Sequence, residues 1–296
     1  MPQIEPISDA ADPRVDVYRD QKDAWLRAAH HPGGDGTSGT GYSGGLFMAE
    51  GELVLDHLLA SEYEPESLLI TPARWEGLNA DTRGAVEALP GSVPIYLAER
   101  EVMAEVCGFD IHRGVLAAAR RGPDRDPQDV ARSARTLVVL EDLTNHDNVG
   151  SIFRSAAAIS GIDRVGVLLS PRCCDPLYRK SIRVSMGLAL RVPFATLVDW
   201  PAGLRELSAL GYETWALTPG ADAEDITVAR AVPRRRVALL VGSEGPGLTD
   251  AAIRASDRRV RIPIAPGVDS LNAGVSAAIA LHRVETGGRN GPERVE

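Results

Sequence analysis

The second half of the chain alternates short, mainly apolar runs with longer amphipathic stretches. The apolar runs fall at 136–140, 165–169, 214–217, 237–241 and 260–264. The stretches with helical periodicity fall at 149–160, 177–188, 202–210, 249–255 and 271–285. Apolar strands that alternate with helices are typical of a parallel sheet that is covered on both faces. The pattern therefore predicts an α/β domain over residues 134–288.

The first half shows the same alternation on a smaller scale. Strands are predicted at 46–49, 67–71, 93–97 and 114–119, and helices at 15–30, 52–60 and 101–106. These elements indicate a smaller α/β domain over residues 1–121. The polar, charged residues 122–133 include prolines and predict a linker, and the polar residues 289–296 predict a disordered tail.

A glycine-rich segment at 32–45 contains one spacing that is associated with dinucleotide binding, at Gly34, Gly36 and Gly39. That fingerprint requires a strand before the glycines and a helix that opens from them. Here a helix-like segment precedes the glycines and more glycine follows. We therefore interpret the segment as a flexible surface loop, without a nucleotide-binding role.

The distribution of charge changes the picture of possible partners. The net charge is −9 overall, but it is −10 over residues 1–125 and +1 over residues 126–296. Since affinity for RNA depends on neutralising phosphates, an RNA-binding surface is expected on the second half. Its basic clusters, each equally compatible with a solvated surface, are Arg179, Lys180 and Arg183; Arg234, Arg235 and Arg236; and Arg258, Arg259 and Arg261.

Other classes of protein are disfavoured by the sequence. No apolar run reaches the roughly 18 residues that cross a membrane, and the first residues lack the basic and apolar regions of a secretory signal. The three cysteines, Cys107, Cys173 and Cys174, have neither disulfide-framework nor zinc-ligand spacing. We expect a cytoplasmic protein with reduced thiols, no metal site and no membrane contact.

Three loops that follow predicted strands carry the candidate chemistry. In the first, Asn148 is predicted to cap a helix, Gly150 permits close approach, and Arg154 lies within that helix. In the second, glycines around Glu244 leave backbone groups free to bind an adenine or a ribose. In the third, Ser270 is predicted to cap a helix whose first turn contains Asn272. Each loop alone is also compatible with an ordinary capped helix or glycine turn.

Together the three loops resemble the SpoU/TrmH family of RNA ribose 2′-O-methyltransferases. The matching motifs are Asn148-x-Gly150-x-x-x-Arg154, the unbroken run Gly242–Gly247, and Ile262-Pro263 followed by Ser270-Leu271-Asn272. A weaker match is Ser185-Met186-Gly187 ahead of Val192-Pro193. Glu50-Gly51 and the run from Gly114 to Ala117 give a fainter likeness to the RNA-binding domain of the family.

The sequence departs from the family pattern at three places. Asn145-His146 replaces an Asp-Pro pair, Ala273-Gly274-Val275 replaces Val-Ser-Val, and Pro266 replaces a common glycine. His146 is a weaker candidate proton acceptor, because a loop histidine is more often a neutral surface residue.

The resemblance implies a C-terminal domain with a deep trefoil knot, a homodimer, S-adenosylmethionine as cofactor and a structured RNA, rRNA or tRNA, as substrate. It implies that Arg154 binds phosphate and stabilises developing alkoxide charge, that Asn148 orients Arg154 or the target ribose, and that Glu244, Ser270 and Asn272 shape the site. The implied cofactor contacts are Leu240, Gly242, Ser243, Gly245, Gly247, Ile262, Ile264, Ser270 and Leu271.

Two other functions remain open on the sequence alone. The chain could be a non-catalytic RNA- or ribosome-binding module of the same fold, or a methyltransferase that acts on a substrate other than RNA. The acidic first half leaves room for the latter, because binding to RNA normally depends on cationic contacts to phosphate. The choice between rRNA and tRNA, and between a housekeeping role and antibiotic resistance, is also open.

Overall fold

The computed structural model describes residues 2–19, 45–108, 111, 113–231 and 235–287. The strands, in chain order, are β1 (Ile4–Ile7), β2 (Leu46–Glu50), β3 (Pro65–Ile70), β4 (Ile95–Ala98), β5 (Val115–Arg120), β6 (Thr136–Leu140), β7 (Val165–Leu169), β8 (Phe194–Thr196), β9 (Tyr212–Leu217), β10 (Glu224–Asp225), β11 (Arg236–Val241) and β12 (Arg258–Arg261). The α-helices are α1 (Glu52–Leu59), α2 (Pro72–Gly77), α3 (Ala80–Glu87), α4 (Arg100–Cys107), α5 (Pro127–Ser133), α6 (His146–Ser160), α7 (Arg179–Val184), α8 (Leu204–Ala209), α9 (Asp250–Ala255) and α10 (Ala273–Gly287).

The chain divides into two compact units, the second of which comprises residues 124–176 and 192–296. Its seven strands form a parallel sheet in the order β10-β12-β9-β11-β6-β7-β8. The three neighbouring strands β11, β6 and β7 are mainly apolar and almost completely buried, as expected for a sheet that is covered on both faces. Val241, Leu140 and Leu169 pair in register, so these strands end together at one edge of the sheet.

The first unit comprises residues 1–123 and 177–191. Its mixed sheet has the order β1-β4-β3-β5-β2, in which β5 runs antiparallel to both of its neighbours. One buried cluster packs a 3-10 helix, Pro13–Tyr18, against this sheet, and the Tyr18 hydroxyl lies 2.8 Å from Ser67 Oγ. The unit thus combines α-helices with a mixed β-sheet.

The structure differs from the predicted organisation in several places. Part of the predicted linker is helix α5, because Asp126 caps it and Pro127 occupies its first turn. Residues 177–191, which were assigned to the C-terminal domain, pack with the first unit, and the predicted helix 177–188 is the shorter α7. The last strand ends at Arg261, before the predicted run 260–264 is complete, because Pro263 cannot donate a ladder hydrogen bond.

Several elements were not predicted: the short strands β1, β8 and β10, and the helices α2 and α3. Of the predicted helix 15–30, the structure describes only residues 15–19, and residues 15–18 belong to the 3-10 helix rather than to an α-helix. The glycine-rich loop at 32–44 and the tail at 289–296 lie outside the described residues.

Within the described part of the chain, no helix is long and apolar enough to cross a membrane. In the same residues, no three His, Cys, Asp or Glu side chains are grouped so that they could hold a metal ion.

Candidate active site

A cavity of about 410 Å³ lies beyond the carboxyl ends of strands β9, β11 and β12, where α/β proteins bind ligands. Its volume is within the range of small-molecule and cofactor sites. Four stretches of the chain form it, and the residues that line it are Leu217, Thr218, Pro219, Val241, Gly242, Ser243, Glu244, Gly245, Pro246, Gly247, Val260, Ile262, Ile264, Ser270, Leu271, Asn272, Ala273 and Ser276.

One wall is the glycine loop, defined as residues 242–248, which folds back on itself directly after β11. The backbone N–H of Gly247 donates to the Ser243 carbonyl at 3.0 Å. A Cβ on Gly242 would lie only 2.2 Å from both the Gly247 carbonyl carbon and the Leu248 nitrogen. Gly245 and Gly247 have φ of 85° and 71°, in the left-handed region that favours glycine. The glycines thus allow the two ends of the loop to pack closely at Gly242 and leave a wall of backbone atoms facing the cavity.

Side chains from all three predicted motifs meet in one polar network beside the cavity. The Asn148 amide donates to Glu244 Oε1 at 2.5 Å, and the Asn272 amide donates to Asn148 Oδ1 at 2.8 Å. Asn272 Nδ2 also lies 3.3 Å from Glu244 Oε1. Hydrogen bonds to a charged carboxylate are stronger than neutral ones, so this network fixes the relative positions of α6, the glycine loop and α10.

Both predicted helix caps are wrong by a few residues. Helix α6 begins at His146, so the capping side chain is Asn145, whose Oδ1 accepts from the Asp147 N–H at 2.9 Å. Helix α10 begins at Ala273, and Asn272 rather than Ser270 accepts from the first free N–H groups, those of Gly274 and Val275. Because Asn145 performs the capping, Asn148 is free to bind Glu244.

The structure places the other predicted site residues in three groups. Glu244, Ser270 and Asn272 line the cavity, together with every predicted cofactor contact except Leu240, which is buried inside β11. Asn148 does not line the cavity, but its amide donates to Glu244, which does. Arg154 lies on the exposed side of α6, does not line the cavity, and has no hydrogen bond or ion pair among the residues that the structure describes.

Sequence reasoning missed several residues of this region. Thr218 and Pro219 line the cavity because β9 ends at Leu217, and Ser276 lines it one helical turn after Asn272. The strand-end position of Thr218 was a usable signal. Glu141 was also missed: it is only 1% exposed and binds the residue that follows the glycine loop.

The two adjacent cysteines lie in the loop after β7. Cys173 Sγ donates to the Leu140 carbonyl at 3.2 Å. Burial raises the pKa of both thiols, that of Cys174 to about 12. Both thiols are therefore protonated at neutral pH, which makes neither of them an effective nucleophile.

Comparison with known protein families matches residues 135–282 to the SpoU rRNA Methylase family. The matched range contains the cavity, the glycine loop and the polar network. The chain belongs to this family. A protein from Mycobacterium bovis named as an uncharacterized tRNA/rRNA methyltransferase is 44% identical to this SpoU family member over 291 residues, which are 98% of this chain and 94% of that protein. A protein of the same description from Synechocystis is 32% identical over 64% of this chain and 67% of its own length.

Solved structures also resemble this SpoU family member over most of its length. An AdoMet-bound rRNA methyltransferase from Sinorhizobium meliloti matches with a TM-score of 0.75 at 21% identity, over 97% of this chain and 99% of that chain. An RNA 2′-O ribose methyltransferase matches with a TM-score of 0.68 at 25% identity, over 94% and 97% of the two chains. The resemblance to the family and the α/β fold with a parallel-sheet domain are thereby confirmed.

Proposed function

We propose that this protein transfers a methyl group from S-adenosylmethionine to a ribose 2′-OH of structured RNA, rRNA or tRNA, in the cytoplasm. The observation that carries the proposal is the joining of Asn148, Glu244 and Asn272 beside a cavity whose wall is a glycine loop. Family membership and the names of the relatives support the choice of RNA as substrate.

The cavity fits the cofactor on the basis of its shape and lining. The loop offers backbone donors and acceptors for an adenosine, and no atom stands within 4 Å of the positions where Gly245 or Gly247 would carry a Cβ. Ile262, Ile264 and Leu271 supply the apolar surface that an adenine requires. When bound, the cofactor supplies a methyl group that is already activated by a positive sulfur.

The residues of the chain would contribute alignment and electrostatic stabilisation. Transfer forms an O–CH₃ bond, breaks an S–CH₃ bond and releases the proton of the hydroxyl. Correct alignment of the three atoms contributes roughly 7–11 kcal/mol to such reactions. A guanidinium is a poor proton acceptor, so the proposed role of Arg154 is to bind phosphate and to stabilise the developing alkoxide. Asn148 would orient Arg154 or the target ribose, and Glu244, Ser270 and Asn272 would shape the pocket.

We also propose that the C-terminal segment of the second unit is knotted. Strand β12 lies on the far side of β9, whereas α10 packs against α6 and β11, so residues 262–272 must cross back over the sheet edge. Arg261 Nε donates to the Ala223 carbonyl at 3.2 Å, and Arg283 Nε donates to the Ile226 carbonyl at 3.1 Å. These bonds hold the connection that leaves β9 against the end of β12 and against α10, the two elements that the crossing segment joins.

The proposed homodimer rests on an exposed apolar strip. Val275 and Ile279 are 48% and 39% exposed, and they lie four residues apart on one face of α10. Helix α6, which carries the exposed Arg154, packs along α10. Since Arg154 does not line the cavity of its own chain, we propose that the active site lies at the interface between two subunits.

Negative charges introduced on this strip should separate the subunits. The double variant V275E/I279E should elute as a monomer in size-exclusion chromatography with light scattering, whereas the wild-type protein elutes as a dimer. The control V198E places the same charge on a valine that is 81% exposed outside α10, and it should remain dimeric. A dimeric V275E/I279E, or a monomeric wild type, would contradict this interface.

Two arginines suggest how the acidic first unit contacts RNA. Arg113 packs across Gly51 and Arg74 packs across Gly114, at the end of the sheet where Gly51 N–H donates to the Val115 carbonyl. Both side chains are exposed, and in the described residues neither has an acidic partner, whereas Arg120 of the same unit is paired with Glu64 and Glu66. We propose that Arg74 and Arg113 bind RNA phosphates.

Reversing these two charges should weaken binding to RNA but not binding to the cofactor. We expect R74E/R113E to raise KM for RNA about tenfold and to reduce the salt dependence of binding by about two phosphate contacts. KM for S-adenosylmethionine should not change. The control R205E reverses another exposed arginine, on α8, and should leave both values unchanged. An R74E/R113E variant with wild-type affinity for RNA and wild-type salt dependence would refute the role of the patch.

The function is tested by transfer of labelled methyl groups to separate pools of unmodified rRNA and tRNA. Label in one pool identifies the substrate class. Cofactor binding without transfer to either pool would favour a substrate other than RNA. Absence of cofactor binding, together with binding to RNA, would favour the non-catalytic module.

A further inference from the structure

Glu141 is a buried carboxylate at the end of β6, and it lies outside the polar network described above. Its side chain is 1% exposed and accepts three hydrogen bonds. Trp200 Nε1 and Thr249 Oγ1 each donate to Oε1 at 2.7 Å, and the Thr249 backbone N–H donates to Oε2 at 2.8 Å. Both carboxylate oxygens therefore have hydrogen-bond partners within the protein, as burial of a polar group requires.

These bonds join the two ends of the glycine loop. The backbone N–H of Glu141 donates to the Val241 carbonyl at 2.9 Å, directly before the loop begins. Its carboxylate binds Thr249, directly after the loop ends. Glu141, directly after the neighbouring strand β6, thus fixes the distance between the two ends of the loop. The close packing of Gly242 on Gly247 and Leu248 depends on that distance.

We infer that Glu141 is a positioning residue, which holds the glycine loop in the conformation that receives the cofactor. Thr249 also caps α9, since its Oγ1 accepts from the Ala252 N–H at 3.2 Å, so the same contact sets where the helix after the loop begins. A loop that is already ordered loses less conformational entropy when a ligand binds, and this preorganisation increases affinity. The inference rests on the proposed use of S-adenosylmethionine.

The chemistry of the contact requires a carboxylate. All three partners are hydrogen-bond donors, and a glutamine at this position would present an NH₂ group to at least one of them. That donor would then be buried without an acceptor, which is costly in the protein interior. The substitution E141Q therefore perturbs the contact with almost no change of side-chain volume.

The test measures the Kd of S-adenosylmethionine by calorimetry on the full chain, at a temperature where circular dichroism shows each variant to be folded. E141Q should weaken binding about tenfold and raise KM for the cofactor. At saturating cofactor, kcat and KM for RNA should stay within about twofold of wild type. T249V should also weaken binding of the cofactor, whereas T249S, which keeps the hydroxyl, should bind it as the wild type does. The double variant E141Q/T249V should bind the cofactor no more weakly than E141Q, because both substitutions disrupt the same contact.

A matched control lies at the opposite end of the same strand. Thr136 Oγ1 donates to Glu285 Oε1 at 2.8 Å, which is also a bond between a buried hydroxyl and a carboxylate. T136V should lower Tm and leave the Kd unchanged. If E141Q or T249V lowers Tm but binds the cofactor as the wild type does, Glu141 is merely structural and the inference is wrong. A wild-type protein that does not bind the cofactor would overturn the proposed function as well.

Discussion

Replacing Arg154 by alanine should lower kcat for RNA methylation by about two to three orders of magnitude. Removing one preorganised group that stabilises developing charge typically has an effect of this size. The Kd of S-adenosylmethionine should change little, because Arg154 does not line the cavity of its own chain. The measurement is single-turnover methyl transfer, together with calorimetry of cofactor binding.

Two further variants separate the role of Arg154 from a general effect of charge. R154K keeps a positive charge but loses the planar set of donors that binds phosphate, so we expect only partial activity. R205A removes another exposed arginine of the second unit, on α8, and should be as active as the wild type. Wild-type turnover in R154A would eliminate the proposed role, and a large loss of cofactor affinity would place the residue in the cofactor pocket instead.

The substitution G242A should reduce affinity for S-adenosylmethionine at least about a hundredfold. The new Cβ would lie 2.2 Å from two backbone atoms of the same loop, the Gly247 carbonyl carbon and the Leu248 nitrogen. No side-chain rotation can relieve a contact between a Cβ and the backbone, so the glycine loop must open. In catalysis a misplacement of about 1 Å can cost about a hundredfold in rate, and we expect a loss of the same order in binding when the wall of the cavity moves.

The substitution G84A provides a matched control. Gly84 lies exposed in α3, where a Cβ would meet no atom within 4 Å. G84A should raise the free energy of unfolding by about 0.5–1 kcal/mol and leave cofactor binding unchanged. If G242A bound the cofactor as tightly as the wild type, the glycine loop could not be the wall of the cofactor site.

The central strands were predictable because burial on both faces requires unbroken apolar runs. β6 and β7 have the predicted bounds, and the loops that follow β6 and β11 meet at one sheet edge, as parallel strands require. The edge strands were less predictable. β8 has three residues and β10 has two, so neither produces a measurable pattern.

The details of the site depended on contacts that no local pattern records. Asn145 and Asn148 are equally good capping residues in sequence, and only the start of α6 at His146 decides between them. In the sequence, Glu141 is only a polar residue that follows a predicted strand. Its partner Thr249 is 108 residues away, so no local pattern indicates the contact. Residues 177–191 pack with the first unit, although the residues on both sides of them belong to the second. Hydrophobic periodicity predicts that a segment is helical, but it does not predict which unit the segment packs with.

The most direct test of this account identifies the methylated atom. Purified protein is incubated with labelled S-adenosylmethionine and unmodified rRNA or tRNA, and the RNA is then digested to nucleosides and separated. We predict that the label appears in a single 2′-O-methylnucleoside, and that R154A slows its appearance by about two to three orders of magnitude. Label in a base-methylated nucleoside would contradict the proposed chemistry, because Arg154 is assigned to a ribose hydroxyl and its neighbouring phosphate.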